Sequence, residues 1–151
     1  MNIRNLKHHL AFTQTVLSPQ FHDLDPLNIV WHGNYVKYLE VARTGLLRRI
    51  GYDYPQMEAS GFAWPVVDMR LKFIRTARYG VPLVVSCAVT EWEHRLKINY
   101  EIHEQDTQIL IHRAYTIQVA VDMRTTEMCY QSPDVLNQCL KALTNTTEHS
   151  E

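Results

Sequence analysis

Apolar positions in this chain recur first with a period near 3.6 residues and then, over most of its length, with a period near two. The helical stretch runs from Gly33 to Ile50, where Tyr35, Tyr38, Leu39, Ala42 and Leu46 share a face. Val36, Leu47 and Ile50 add apolar surface elsewhere, which predicts a helix buried on more than one side. Asn34 suits its N-cap, and Gly51 suits the left-handed residue just past its end. Before it, a strand is predicted over Leu10 to Leu17, with Leu10, Phe12 and Val16 on one face and Ser18-Pro19 ending it. Tyr52 to Gly61 is rich in turn residues and reads as a loop.

Strand patterns follow. Val67, Met69, Leu71 and Phe73 alternate with Asp68, Arg70 and Lys72, and Leu83 to Trp92 is apolar on both faces. Leu96, Ile98, Tyr100 and Ile102 alternate with Lys97, Asn99, Glu101 and His103, and Gln105-Asp106-Thr107 turns the chain. The next strand carries Ile109, Ile111, Tyr115, Ile117, Val119 and Val121, with Arg113 as its polar intruder. A short strand is expected near Met128 to Tyr130. Ser132-Pro133-Asp134 then opens a last helix over about 133–143, with Leu136, Cys139, Leu140 and Leu143 on it. Both ends, Met1 to Lys7 and Asn145 to Glu151, are polar and read as frayed. One strand, one long helix and four or five further antiparallel strands make an α+β domain, a curved sheet wrapped around one central helix. The sheet's opposite face is also partly apolar, which a lone domain does not explain.

Length and charge narrow the function. The chain has 151 residues, which predicts a single domain over 1–151 with its core at about 10–131. Its 15 basic and 16 acidic side chains leave a net charge of −1, without the positive excess of a nucleic-acid binder. No apolar run approaches the roughly 18 residues of a membrane span, and the polar start lacks a signal-peptide core, so a cytoplasmic protein is expected. Cys87, Cys129 and Cys139 have no paired spacing and read as reduced thiols rather than a disulfide frame or a zinc site.

The segment from Phe21 to Tyr35 concentrates the candidate chemistry. It sets Asp23, Asp25, His22 and His32 in a short loop before a helix start whose free N–H groups favour negative charge. Asp23 and Asp25 also fit turn and capping roles, and the histidines fit exposed or satisfied core positions. A metal site is disfavoured, because no His or Glu recurs at helical spacing to complete it.

The run Asp-Leu-Asp-Pro-Leu-Asn-Ile-Val-Trp-His-Gly-Asn-Tyr, continuing to Glu40 and Arg43, resembles the signature of hotdog-fold acyl-CoA thioesterases. It is most similar to the 4-hydroxybenzoyl-CoA thioesterase type and the Tol–Pal-associated acyl-CoA thioesterases. The resemblance extends more loosely over residues 10 to 131, through the region from Phe73 to Gly80. It implies a hotdog fold, with Asp25 as the catalytic carboxylate and the backbone N–H of His32 as the oxyanion donor, assisted by the imidazole. Val30, Trp31 and Tyr35 fall at substrate-binding positions. Asn28 stands where the family often has glycine, and asparagine tolerates the same left-handed turn. Asp23 is expected to be a structural partner of the loop.

Such a protein hydrolyses an acyl-CoA, or an acyl carrier protein thioester, to free acid and thiol, with no cofactor and no metal. Two rivals share the ligand: a hotdog hydratase or dehydratase, and a non-catalytic acyl-thioester binder. The hydratase layout resembles a Gly-Asp-x-Asn-Pro segment that this chain lacks. Arg75, which clusters with Arg70, Lys72 and Arg78 on and after one strand, is a candidate for the coenzyme A phosphates, with a solvated strand face as the competing reading; the resemblance adds Arg95, in the turn where related enzymes carry basic residues, although Glu93 beside it breaks that pattern. Glu40 and Arg43 are spaced to pair on the helix, or, for Glu40, to face the site of a dimer. A homodimer, paired again into a tetramer, is expected because a wrapped sheet leaves an unpaired edge.

Overall fold

A computed structural model describes residues 11–148, so Leu10 and the first residues of the chain lie outside it. Strand β1 (Phe12–Leu17) leads through a loop, with a single 3-10 turn at Phe21–Asp23, into helix α1 (Asn34–Ile50). After the short helix α2 (Tyr54–Ser60) come β2 (Phe62–Ala63), β3 (Val66–Phe73), β4 (Leu83–Glu91), β5 (Leu96–Glu104), β6 (Leu110–Gln118), β7 (Val121–Asp122) and helix α3 (Asp134–Glu148). Five strands form one antiparallel sheet in the order β1-β4-β5-β6-β3, and β2 pairs with β7 in a separate ribbon. The sheet wraps α1. Leu83, Val85, Cys87 and Val89 of β4 and Ile98, Tyr100 and Ile102 of β5 close on Tyr38, Leu39, Ala42 and Leu46 of the helix in one core. This is the α+β architecture expected of a hotdog fold.

Local departures from the sequence reading have physical reasons. Asn34 is the first residue of α1 rather than its cap; Gly33 caps it without a side chain, while the Asn34 amide donates to the Asp23 carbonyl at 2.8 Å. Gly51 is left-handed at φ 81°, as expected, and ends the helix. One side of α1 stays in water through Lys37, Glu40, Arg48 and Arg49, so the helix is less enclosed than its apolar residues suggested. The expected loop contains α2 because Asp53 and Gln56 form a capping box, Pro55 sits in the first turn, and Gly61 closes the end.

On β1 the face of Phe12 and Val16 points away from the helix, leaving Val16 exposed, while Ala11 and Leu17 pack on the core. In β6 the apolar positions Tyr115 and Ile117 likewise face outward, and His112, Ala114, Thr116 and Gln118 face the helix. Hydrogen bonds from Tyr100 to Thr116 and from Gln118 to the Trp64 carbonyl, both at 2.8 Å, satisfy two of these inward polar groups. The outer face of the sheet is largely polar rather than apolar at its centre, where Arg70, Lys72, Asn99, Glu101, Arg113 and Tyr115 surround a shallow cavity. Met128 makes an isolated bridge to Val121 in place of a strand, and α3 runs on to Glu148 instead of ending near 143. Among the described residues no helix is long and apolar enough to cross a membrane.

Candidate active site

The loop between β1 and α1 is fastened at its far end to the segment that follows β3. Val30 N–H donates to the Ala77 carbonyl at 3.0 Å, and Ala77 N–H donates back to the Tyr35 hydroxyl at 2.9 Å. This clasp brings the start of α1 against the end of β3. Between them lies a pocket of about 210 Å³ lined by Asp25, Val30, His32, Tyr35, Phe73 and Arg75, together with Ile29, Ile74 and Thr76.

Asp25 is held by a tight turn. Its N–H donates to the Ile29 carbonyl at 2.9 Å, its carbonyl accepts from Asn28 N–H at 3.0 Å, and its Oδ1 accepts from Leu27 N–H at 2.8 Å. Asn28 adopts φ 61°, the left-handed conformation for which asparagine stands in for glycine. Oδ2 has no partner among the described residues and is free for chemistry. Asp23, two residues earlier, is committed elsewhere. Its Oδ2 accepts from the Gln20 N–H and the Tyr38 hydroxyl, each at 2.8 Å, inside the protein. Burial alone would raise its carboxyl, but these two donors outweigh it and hold Asp23 below the usual 3.8. Burial pushes the Tyr38 hydroxyl up, and the Asp23 carboxylate it binds pushes it further.

His32 is exposed, one residue before the Gly33 cap, and its N–H has no acceptor among the described residues. With no capping side chain, the positive end of α1 opens directly at the pocket. The half-exposed ring of Trp31 lies over Gly33, where an added Cβ would collide with it. Tyr35 is buried and stacks on His112 at 4.7 Å, with Phe73 edge-on to both rings. Among the described residues neither nitrogen of His112 has a hydrogen-bond partner, and burial lowers its pKa to about 4. Sequence reading passed over His112; the one signal was a polar residue at a helix-facing position of β6.

Five of the seven expected site residues therefore share one pocket within a single chain. Trp31 is not among the residues that line it. Arg95 is remote, in the β4–β5 turn at the other end of the sheet, bound to Glu91 at 2.7 Å. Arg70 and Lys72 lie on the sheet's outer face. Glu40 pairs with Arg43 at 2.7 Å, as its spacing predicted.

A carboxylate with a free oxygen facing an uncapped helix start suits hydrolysis at a carbonyl, since one supplies a base or nucleophile and the other receives the developing oxyanion. The family model of the thioesterase-like superfamily matches residues 19–140. The chain belongs to this superfamily. It is 29% identical over 104 residues to YneP of Bacillus subtilis, a provisionally named acyl-CoA thioesterase, covering 68% of this chain and 75% of that protein. A 4-hydroxybenzoyl-CoA thioesterase from Pseudomonas is 28% identical over 79 residues, covering 50% of this chain and 56% of its own. The crystal structure of a 1,4-dihydroxy-2-naphthoyl-CoA thioesterase from Synechocystis superposes with a TM-score of 0.77 at 21% identity, over 85% of this chain and 95% of that one.

Proposed function

We propose that this thioester hydrolase cleaves acyl-CoA, with Asp25 as the reacting carboxylate and the N-terminus of α1 at His32 as the oxyanion site. The observation that carries the reading is the free Oδ2 of Asp25 and the uncapped start of α1 in one pocket. The thioester carbonyl accepts from the His32 N–H. Water adds to the carbonyl carbon as Asp25 takes its proton, the C–S bond breaks, and the proton passes to the departing thiolate. In a second route Asp25 attacks the carbon itself and water then cleaves the anhydride. Single-turnover hydrolysis in ¹⁸O-labelled water detects direct attack with water adding at the Asp25 carboxyl carbon, which labels Asp25 and leaves the acid unlabelled, and rapid quenching with hydroxylamine traps the anhydride when water adds at the acyl carbon instead.

Arg75, exposed beside the pocket, meets the phosphates of coenzyme A. Arg95 reaches the same coenzyme A tail only from a second subunit, being at the far end of its own sheet. The working unit is a homodimer joined along the free edge of β3, paired again into a tetramer.

Asp25→Asn keeps the shape of the side chain and removes the base or nucleophile. Turnover on an acyl-CoA panel, followed by thiol release, should fall at least about 100-fold with little loss of stability. Near wild-type hydrolysis by Asp25→Asn, with loss in Asp23→Asn, would reverse the two roles. Binding of acyl-CoA without thiol release in the wild type would make the chain a binder, and a change in enoyl absorbance without thiol release would make it a hydratase.

A further inference from the structure

Strand β6 sets a histidine among core residues. His112 has no exposed surface, and among the described residues neither of its nitrogens has a hydrogen-bond partner. An unpaired buried polar group costs stability that an apolar side chain at the same place would not. Burial keeps the ring neutral at ordinary pH, so no charge offsets that cost. The residue is unfavourable for folding, and it touches two rings of the pocket at Asp25.

Its face stacks on Tyr35, with centroids 4.7 Å apart and planes 19° apart. Phe73, its partner across the β3–β6 ladder, stands edge-on to it at 4.9 Å. Both rings line the pocket, Tyr35 from the start of α1 and Phe73 from the end of β3. One residue before His112, the Ile111 carbonyl accepts from Ile74 N–H and Arg75 N–H, each at 3.0 Å, which turns the chain as it leaves β3. Two residues further on, Ala77 N–H donates to the Tyr35 hydroxyl at 2.9 Å. His112 therefore lies where the two walls of the pocket are joined.

On the acyl-CoA thioesterase reading, we infer that His112 is a positioning residue, whose flat face holds the Tyr35 ring in the orientation that carries its hydroxyl to Ala77. The bond so made fixes the start of α1 against the segment from Phe73 to Ala77. Tyr35 stands three residues after His32, so the same ring governs where the oxyanion donor lies. Without the stack, the bond from Val30 N–H to the Ala77 carbonyl holds that segment at one point only. A displacement of reacting groups by about 1 Å costs about 100-fold in rate. An aliphatic side chain of similar volume fills the space but offers no flat face.

The test measures thiol release from an acyl-CoA panel and urea unfolding at pH 7, on the full-length protein. His112→Leu should lower kcat at least about tenfold while KM stays within about threefold. Its urea midpoint should not fall, because two unpaired buried nitrogens are removed. His112→Phe keeps the flat face and should hold kcat within about threefold of the wild type. Tyr35→Phe keeps the stack but removes the acceptor for Ala77 N–H. It should lower kcat as His112→Leu does, and the double variant should be no slower than the slower single one. Hydrogen exchange at the Ala77 amide should quicken in both single variants. Tyr35→Phe carries the test by itself if His112→Leu does not fold. Wild-type kcat in His112→Leu or in Tyr35→Phe overturns the inference, as do additive losses in the double variant. A kcat lost only together with stability makes His112 a core residue and nothing more, and equal losses in the leucine and phenylalanine variants exclude the flat face. A wild type inert on every acyl-CoA removes the thioesterase reading and this inference with it. Hydrolysis by the wild type that His112→Leu matches removes the inference alone.

Discussion

Asp23 and Asp25 stand two residues apart, and burial assigns them different work. Asp23 is buried, and its Oδ2 accepts from the Gln20 N–H of the loop and the Tyr38 hydroxyl of α1, so its stabilising effect is present above about pH 4 and is lost as pH falls through its lowered pKa. Asp25 is partly exposed and keeps one oxygen free. His32 divides in the same way, between its main chain and its side chain. If the imidazole assists the oxyanion or the leaving thiolate, His32→Ala lowers kcat and alters the acid limb of its pH profile, and this is the expected result. An unchanged profile with kcat retained assigns the role to the backbone N–H alone. His112 supplies the other expectation at this scale. Its pKa is about 4 in the fold against 6.5 in a free chain, so between those values the unfolded chain takes up a proton that the folded chain does not. Stability from this group is whole above pH 6.5 and falls by about 1.4 kcal/mol per unit toward pH 4. His103, also lowered by burial, adds to the same slope. In His112→Phe, urea midpoints at pH 7 and pH 5 should therefore lie closer together than in the wild type; an unchanged gap means that the imidazole is solvated in the fold.

At the scale of elements, α1 begins at a glycine that lies under the Trp31 ring. Gly33 has φ −68°, an ordinary helical value, so its lack of a side chain is required by the Trp31 ring lying over it and not by the backbone. Gly33→Ala should raise helix propensity yet displace the indole, and with it the His32 N–H. The expected outcome is a drop in kcat of about tenfold or more, a shift in tryptophan fluorescence, and a stability change within about 1 kcal/mol. Unchanged kinetics would mean that Trp31 moves without carrying the helix start. The same scale explains what the sequence disclosed. The helix and the strands β3, β4 and β5 were legible because their apolar period is regular and Gly51 marks the helix end. Strand β6 misled because both its faces are buried, so apolar Tyr115 and Ile117 mark the outer face while Thr116 and Gln118 reach the core by hydrogen bonding. Helix α2 was hidden by its own signals: Asp53, Pro55 and Gly61 are turn formers that here cap seven residues. Arg95 looked like a neighbour of the site because sequence gives no measure of which end of a sheet a turn occupies.

For the whole molecule the unsolved surface is the edge at β3. Eight residues run along it with Val66, Val67 and Phe73 exposed, Val67 at 56%, and no strand among the described residues on the side away from β6. Such an edge invites uncontrolled pairing unless another strand covers it. The opposite edge, β1, is shorter and ends at Ser18-Pro19, where proline cannot extend a ladder. A two-fold axis through the middle of β3 covers the exposed residues in both copies and passes close to Met69, which is only half-buried in one chain. Met69→Glu would place two carboxylates near that axis, where like charges at strand spacing repel strongly once water is excluded. Light scattering should give a mass of two chains or a multiple of two for the wild type, and of one chain for Met69→Glu. Thiol release should fall in parallel, since each pocket then loses the surface that completes it. Circular dichroism of the variant should stay close to the wild type, because the side chain lies at the edge rather than in the core. A Met69→Glu monomer that retains full activity would show that one chain alone holds the entire site.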